Sequence, residues 1–289
     1  MIKIKIFSDF CSSEGAIKTF INLNELEKDD DYNRLYTFTT NEDYTHAILM
    51  NKAMPTLRIP KENVIGIAFE PLEFMKLTSI FCSYAQRFIG KYYIGNAAGL
   101  NYPFVEGFGY MWHTPLKEKI KEKPKKMSLM ISEKQTAAGH IYRHKLAEKI
   151  LLSDLNVDIY GRGCEYYLIR GNIDTRLKGA FDNHTEMLDD YEYHIAIENY
   201  TSPHYFSEKL MDPLLCNTVP LYLGCMNYNH YFDKMVIGLT GDLEQDMVII
   251  EELLKSPSDK RINIDLEKVK NVISIKNLIN ELKGEQISP

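Results

Sequence analysis

Paired cysteines are the first thing this chain lacks. Its five cysteines, Cys11, Cys82, Cys164, Cys216 and Cys225, are odd in number, scattered, and never spaced as C-x-x-C. Such usage excludes a disulfide-stapled secreted scaffold and fits a reducing compartment, so a cytoplasmic protein is expected. Long apolar runs are missing as well. No stretch approaches the ~18 residues of a membrane-spanning helix, and the opening MIKIKIFSDF alternates like a strand instead of reading as a signal peptide. Nor is there an excess of positive charge. A net charge of −6 excludes a general polyanion binder, nucleic acid included, while leaving room for a local basic groove fitted to one diphosphate. Fixed-period repeats and low-complexity segments are also lacking.

What is present is an ordinary globular composition, 45% hydrophobic and 26% charged over 289 residues. That length suits about two domains, each able to bury a core without staples. Residues 2–7 read as a strand, followed by a loop over Ser8–Gly15 and a helix over Ala16–Leu26. His46–Met50 and Val64–Phe69 are further apolar strands. The segment Lys117–Lys126, with six lysines and Pro124, reads as a solvated linker. Beyond it the pattern restarts: a strand at Met127–Ser132, then a helix at Ala138–Leu152 with apolar Ile141, Leu146, Ile150 and Leu151. Strands follow at Val157–Tyr160 and His194–Ile197, a helical stretch at Ser207–Cys216, a strand at Val219–Leu223, and one or two closing helices in Ile264–Leu282. Strands interleaved with helices predict an α/β protein of two halves, 1–116 and 127–289, joined by a linker at 117–126.

The most informative stretch is IENYTSPHYFSEKLMDPLLCNTVPLYLG, Ile197 to Gly224. It sets a strand, a loop, a helix start and another strand in succession, and open α/β sheets hold ligands beyond their strands' carboxyl ends. Ser207 is a good N-cap, which puts Glu208 and Lys209 in the first helical turn. Glutamate there complements the helix dipole. Lysine has the wrong sign for that purpose, which makes sense if an anion is to be bound. Pro213 argues against a regular helix.

The order Glu198-Asn199, Tyr205, Ser207-Glu208-Lys209, Thr218-Val219-Pro220 resembles the donor-binding signature of the α1,3-fucosyltransferases, glycosyltransferase family 10. Upstream, Met127–Ser132 resembles that family's strand ending in serine, and Tyr160-Gly161 its strand-to-glycine turn. Arg143 falls where the family has an arginine on the donor pyrophosphate. Val64–Phe74 resembles a strand ending in a Glu-Ser-Pro-like turn that carries the general base; Glu70-Pro71 lacks the intervening serine, which leaves Glu73 as the alternative base. The resemblance implies a GT-B fold, two Rossmann-like domains facing a central cleft, with the donor on the C-terminal one. It further implies inverting transfer of a sugar, L-fucose from GDP-fucose, onto a glycan hydroxyl, without metal or cofactor. Arg143, Glu198, Asn199, Tyr205, Ser207, Glu208, Lys209 and Gly161 would then bind the donor, and Glu70 would be catalytic.

Arg143 and Lys209, both expected to be accessible to solvent, would stabilise charge on the departing phosphate. Glu208 suits ribose hydroxyls, and Glu70 would take the acceptor proton. Two other readings stay open: a transferase of the same fold using another nucleotide sugar, and a non-catalytic carbohydrate- or nucleotide-binding module. His140 and His144, four apart on a helix, lack the third ligand and the H-E-x-x-H spacing of a metal site. Asp29–Asp31 reads as solvated loop. The aromatic run Tyr102–Trp112, which holds the sole tryptophan, is either core or an exposed platform for a sugar ring.

Overall fold

The computed structural model describes residues 1–116, 122–258 and 261–284. The chain divides into two compact units. One comprises Met1–Leu116, Ser202–Ser207 and Ile273–Pro289; the other comprises Lys117–Thr201 and Glu208–Val272.

In the first unit six parallel strands form one sheet: β1 (Ile2–Ser8), β2 (Tyr36–Phe38), β3 (His46–Met50), β4 (Val64–Ile67), β5 (Lys91–Ile94) and β6 (Phe104–Glu106). Their order is β2-β1-β3-β4-β5-β6, so the winding reverses between β1 and β3. Helices α1 (Ser13–Leu23), α2 (Leu72–Met75) and α3 (Ser79–Phe88) belong to the connections. α1 starts three residues before the sequence suggested because Ser12 caps it, its hydroxyl accepting from the Gly15 N–H at 3.1 Å. The core gathers Leu49, Val64, Phe81, Ile89, Tyr92 and Ile94.

The second unit has strands β7 (Lys125–Met130), β8 (Asp158–Tyr160), β9 (Leu177–Gly179), β10 (Tyr191–Ile197), β11 (Val219–Leu223) and β12 (Ile237–Gly238). All pair in parallel, in the order β12-β11-β10-β7-β8-β9, so the reversal lies between β7 and β10. Helices α4 (Ala138–Leu151), α5 (Glu165–Leu168), α6 (Glu186–Asp189), α7 (Glu208–Leu215), α8 (Asn229–Phe232), α9 (Leu243–Lys255) and α10 (Leu266–Ile273) complete it. Every residue of β10 is buried, as in a strand covered on both faces.

Two expectations change. The lysine run is not wholly a solvated linker: Lys125 and Lys126 open β7, and Lys126 pairs with Glu192 at 2.7 Å. The Lys123 ammonium donates to Leu188 O, Cys216 O and Thr218 Oγ1 at 2.7–3.0 Å, which ties it into the second unit, to which it belongs. Positions 117–121 lie outside the described residues. The final helix, α11 (Lys276–Leu282), falls with the first unit and not the second. Lys276 pairs with Asp29 at 3.0 Å, Tyr93 Oη donates to Glu281, and the Ile275 N–H donates to Asn24 Oδ1. On α4 Ile141 is exposed, and Gly139, His140, Arg143 and His144 take the inward positions beside Leu146, Ala147 and Ile150.

Candidate functional site

In the second unit the carboxyl end of β10 and the start of α4 meet at the point where the strand order reverses. Such a point is where a doubly wound sheet leaves a crevice for a ligand. Gly139 makes the meeting possible. Its N–H donates to Asn199 O at 3.0 Å, and a Cβ there would lie 1.7 Å from Glu198 O. Sequence reasoning passed over this glycine; a glycine in the first turn of a helix that follows a strand was the available signal.

Arg143 sits one turn further along α4 and is only 3% exposed. Its Nε donates to Gly139 O at 3.2 Å and its Nη2 to Asn199 Oδ1 at 2.6 Å, while Nη1 has no hydrogen-bond partner among the described residues. The expectation of an accessible side chain is therefore corrected: the guanidinium ties α4 to the end of β10. Burial lowers its pKa, and the charges of Glu198 and Glu208 act in the opposite sense.

Lys209 lies in the first turn of α7, as the sequence suggested, with its side chain 15% exposed. Its ammonium stands 2.7 Å from Glu208 Oε1 and 3.6 Å from Glu198 Oε2. Burial pulls its pKa down, but Glu198 and Glu208 outweigh burial and hold it above the ordinary lysine value. Pro213 does not end α7. It occupies the helix interior, where it cannot donate the i→i−4 bond to the Lys209 carbonyl.

Glu198 was expected on the donor, yet its carboxylate is completely buried. Lys209 faces one oxygen and Tyr222 Oη approaches the other at 3.4 Å. Gly224 leaves room for it, since a Cβ there would fall 2.4 Å from Glu198 Cγ. Glu198 thus acts on Lys209 as a fixed counter-charge. Glu208, half exposed, is the carboxylate of the group that faces solvent.

Gly161 has φ +104°, and a Cβ would approach Ile131 O to 2.1 Å, so its glycine character serves the packing of the turn after β8 on the neighbouring strand. Tyr205 and Ser207 are buried, and the segment Ser202–Ser207 falls with the first unit, not with the other expected donor residues. There Phe206 stacks on Phe108 at 4.1 Å, and Tyr205 backs onto Gly95. Ser207 immediately precedes α7.

The histidines of α4 take structural roles. His144 Nε2 donates to Ser132 O at 2.8 Å, and its ring stacks on Tyr167. His140 Nδ1 accepts the Ala137 N–H at 3.2 Å. Burial lowers the His140 pKa, as do the nearby cations Arg143, Lys134 and Lys209 in turn. Among the described residues no group of three His, Cys, Asp or Glu is placed to hold a metal ion.

In the first unit Glu70 is half-buried, three residues past the carboxyl end of β4 and immediately before Pro71, the residue that precedes α2. Glu73 lies in the first turn of α2 and is exposed. The turn is fixed by the Phe69 N–H, which donates to Asn51 Oδ1 at 2.8 Å.

Two parallel, doubly wound units define the GT-B class of glycosyltransferase fold. A crystal structure of an α1,3-fucosyltransferase with GDP is similar over 100% of this chain and 93% of its own, at 13% identity and TM-score 0.53. An α-glucosyltransferase in complex with UDP and a 13-mer DNA is similar over 98% of this chain and 99% of its own, at 11% identity and TM-score 0.54. Likeness at such identities is likeness of fold.

Residues 120–237 match the family model of glycosyltransferase family 10 (fucosyltransferase) C-term. The α-(1,3)-fucosyltransferase B of Drosophila melanogaster is 30% identical over 104 residues, 34% of this chain and 23% of that protein. The match therefore spans less than a quarter of that curated relative's length. No helix among the described residues is long and apolar enough to cross a membrane.

Proposed function

We propose that the protein is an inverting glycosyltransferase that moves L-fucose from GDP-fucose onto a glycan hydroxyl. The observation that carries this reading is the arrangement of Arg143, Lys209 and Glu208 around the end of β10. Arg143 and Lys209 are the two fixed cations, and Lys209 has its counter-charge, Glu198, buried beneath it. The family match covers all of these residues.

In the reaction the acceptor oxygen bonds to the anomeric carbon from the face opposite the departing phosphate. The bond from that carbon to the β-phosphate oxygen breaks, and the electron pair leaves with GDP. Arg143, through its unengaged Nη1, and Lys209 stabilise the charge that grows on the phosphate. Because they are already held in place, little reorganisation is required during the step. Glu208 accepts ribose hydroxyls, and Asn199 keeps the guanidinium in register. Glu70 takes the acceptor proton. Fixed cations in this role leave no step that needs a divalent metal.

A second reading, a transferase of the same fold using a UDP-sugar, is favoured by the fold neighbour bound to UDP. Thermal shift separates the two, since ligand bound to the native state raises Tm. GDP is expected to raise Tm at millimolar concentration in the presence of EDTA, and UDP less so. A larger shift with UDP would favour the second reading, and a strict need for Mn²⁺ or Mg²⁺ would overturn the metal-free grip. Slow hydrolysis of GDP-fucose without acceptor would distinguish an enzyme from a binding module.

A further inference from the structure

The aromatic run of the sequence divides in the structure. Tyr110 and Met111 are core, while Trp112 joins a different group. Phe10, Phe69 and Trp112 form a triangle of rings with centroids 5.4–5.6 Å apart, Trp112 meeting both phenylalanines edge-on. Phe10 follows β1 and Phe69 follows β4, so the triangle stands at the carboxyl edge of the first unit's sheet, and Phe69 directly precedes Glu70.

This edge is unusually apolar for one open to solvent. Phe10 is 47% exposed, and Met54 and Phe74, which follow β3 and β4, are about half exposed. Phe10 and Met54 belong to the loops after β1 and β3, and Phe74 to α2, in the connection after β4. Beside them a cleft of about 360 Å³ is lined by Ser8, Asp9, Cys11, Ser13, Lys52 and Met54. It opens between the ends of β1 and β3, where the strand order reverses, the favoured crevice of such a sheet. Its loops are held in advance. Ser8 Oγ accepts the N–H groups of Phe10 and Cys11, and the Lys52 N–H donates to Asp9 Oδ2. Two polar atoms nearby, Trp112 Nε1 and Ser13 Oγ, are buried without a hydrogen-bond partner among the described residues, a condition that native proteins rarely leave unexplained.

We infer that this edge is the acceptor subsite, and that it takes a pyranose ring whose C–H-rich face lies on the Phe10–Trp112 aromatic surface while Asp9 accepts its hydroxyls. A sugar ring is amphipathic: its C–H face gains from aromatic contact, and its rim needs hydrogen-bond partners. The apolar triangle supplies the first, and Asp9, Ser8 and Lys52 of the cleft beside it, whose lining also includes Ile6, Phe7, Ala53 and Pro55, supply the second. The inference rests on the glycosyltransferase reading above, for which a glycan acceptor is required.

Trp112 is the chain's sole tryptophan, so its emission reports this subsite directly. Methyl β-galactoside, N-acetylglucosamine and N-acetyllactosamine are titrated with and without GDP, and sorbitol, a polyol without a ring face, serves as the control. A saturable change in emission is expected with at least one ring sugar and none with sorbitol. Phe10→Ala is expected to weaken that binding about tenfold or more and Phe10→Tyr to restore it, with the GDP thermal shift unchanged in both. No saturable change with any ring sugar, or equal affinity in Phe10→Ala, overturns the subsite even where GDP binds normally. Failure of GDP to bind would instead strike the proposed function, and the saccharide titration would still read the subsite by itself.

Discussion

Replacing Glu198 by glutamine separates a residue that grips the donor from one that positions the grip. At 3.6 Å, with one side chain fully buried and the other 15% exposed, the Glu198–Lys209 attraction is about 4–5 kcal/mol at an effective dielectric near 20. Much of it is offset by the cost of burying both charges, and Glu208 remains beside the lysine in the variant. A net loss of about 1–3 kcal/mol in unfolding free energy is therefore expected, measured by urea unfolding. GDP affinity should move the other way. Without Glu198 the ammonium keeps its own charge, and a phosphate meets less negative potential, so Kd by calorimetry should stay level or fall. GDP should then raise Tm more in the variant than in the parent. A tenfold weaker Kd with unchanged stability would show that Glu198 contacts the donor itself, and the counter-charge argument would fail.

Gly139→Ala is expected to cost more than 3 kcal/mol or to prevent folding, because the new methyl collides with backbone at Glu198 that cannot yield; a Tm within a few degrees of the parent would refute the close approach. Stability should also fall as pH drops from about 6.5 to 4.5. Burial, and secondarily the charge of Arg143, push the His194 pKa down to about 3, so the unfolded chain takes up a proton that the folded one refuses. That single group contributes a slope of up to about 1.4 kcal/mol per pH unit, and a flat profile over this window would contradict a neutral, buried His194. Glu70→Gln should lower turnover by about 10²–10⁴-fold with GDP affinity unchanged, while Glu73→Gln keeps parental activity; the reverse pattern would move the base to Glu73, and loss in neither would place it elsewhere.

The strands legible in the sequence were those with continuous apolar runs. His46–Met50 and Val219–Leu223 appear at the boundaries read from the chain, because strands buried on both faces leave no polar interruption. Strands β2, β5, β6, β9 and β12 are two to four residues long and went unread. β5, Lys-Tyr-Tyr-Ile, mixes a lysine with tyrosines and offers too few residues for any period to show. Helices α3 and α9 also went unread, although their caps were available. Thr78 accepts from the Phe81 N–H, and Asp242 accepts from Glu244 and Gln245 ahead of an acidic first turn. The placement of Lys209 was legible because a cation in a first turn contradicts the helix dipole. The burial of Glu198 was not, since it depends on Tyr222 in the next strand and Gly224 just past its end.

The composition of the inward face of α4 has a physical reason that bears on the site. An amphipathic helix is usually read by its apolar stripe, and here the stripe does not run the helix's full length. The inward face begins with Gly139, His140, Arg143 and His144 and only then turns to Leu146, Ala147 and Ile150. Polar residues occupy the first two turns because those turns abut the end of β10, where Asn199 and the Gly139 carbonyl accept what Arg143 donates. Apolar residues occupy the last turns, further from that end. Ile141, an apolar residue near the start, is exposed because the inward direction at that level is already filled by a guanidinium. A buried arginine is costly unless its hydrogen bonds are satisfied, and here two are met within the unit while Nη1 is left for another acceptor. The irregularity that defeats the sequence pattern is thus located at the group of charges to which the chemistry is assigned.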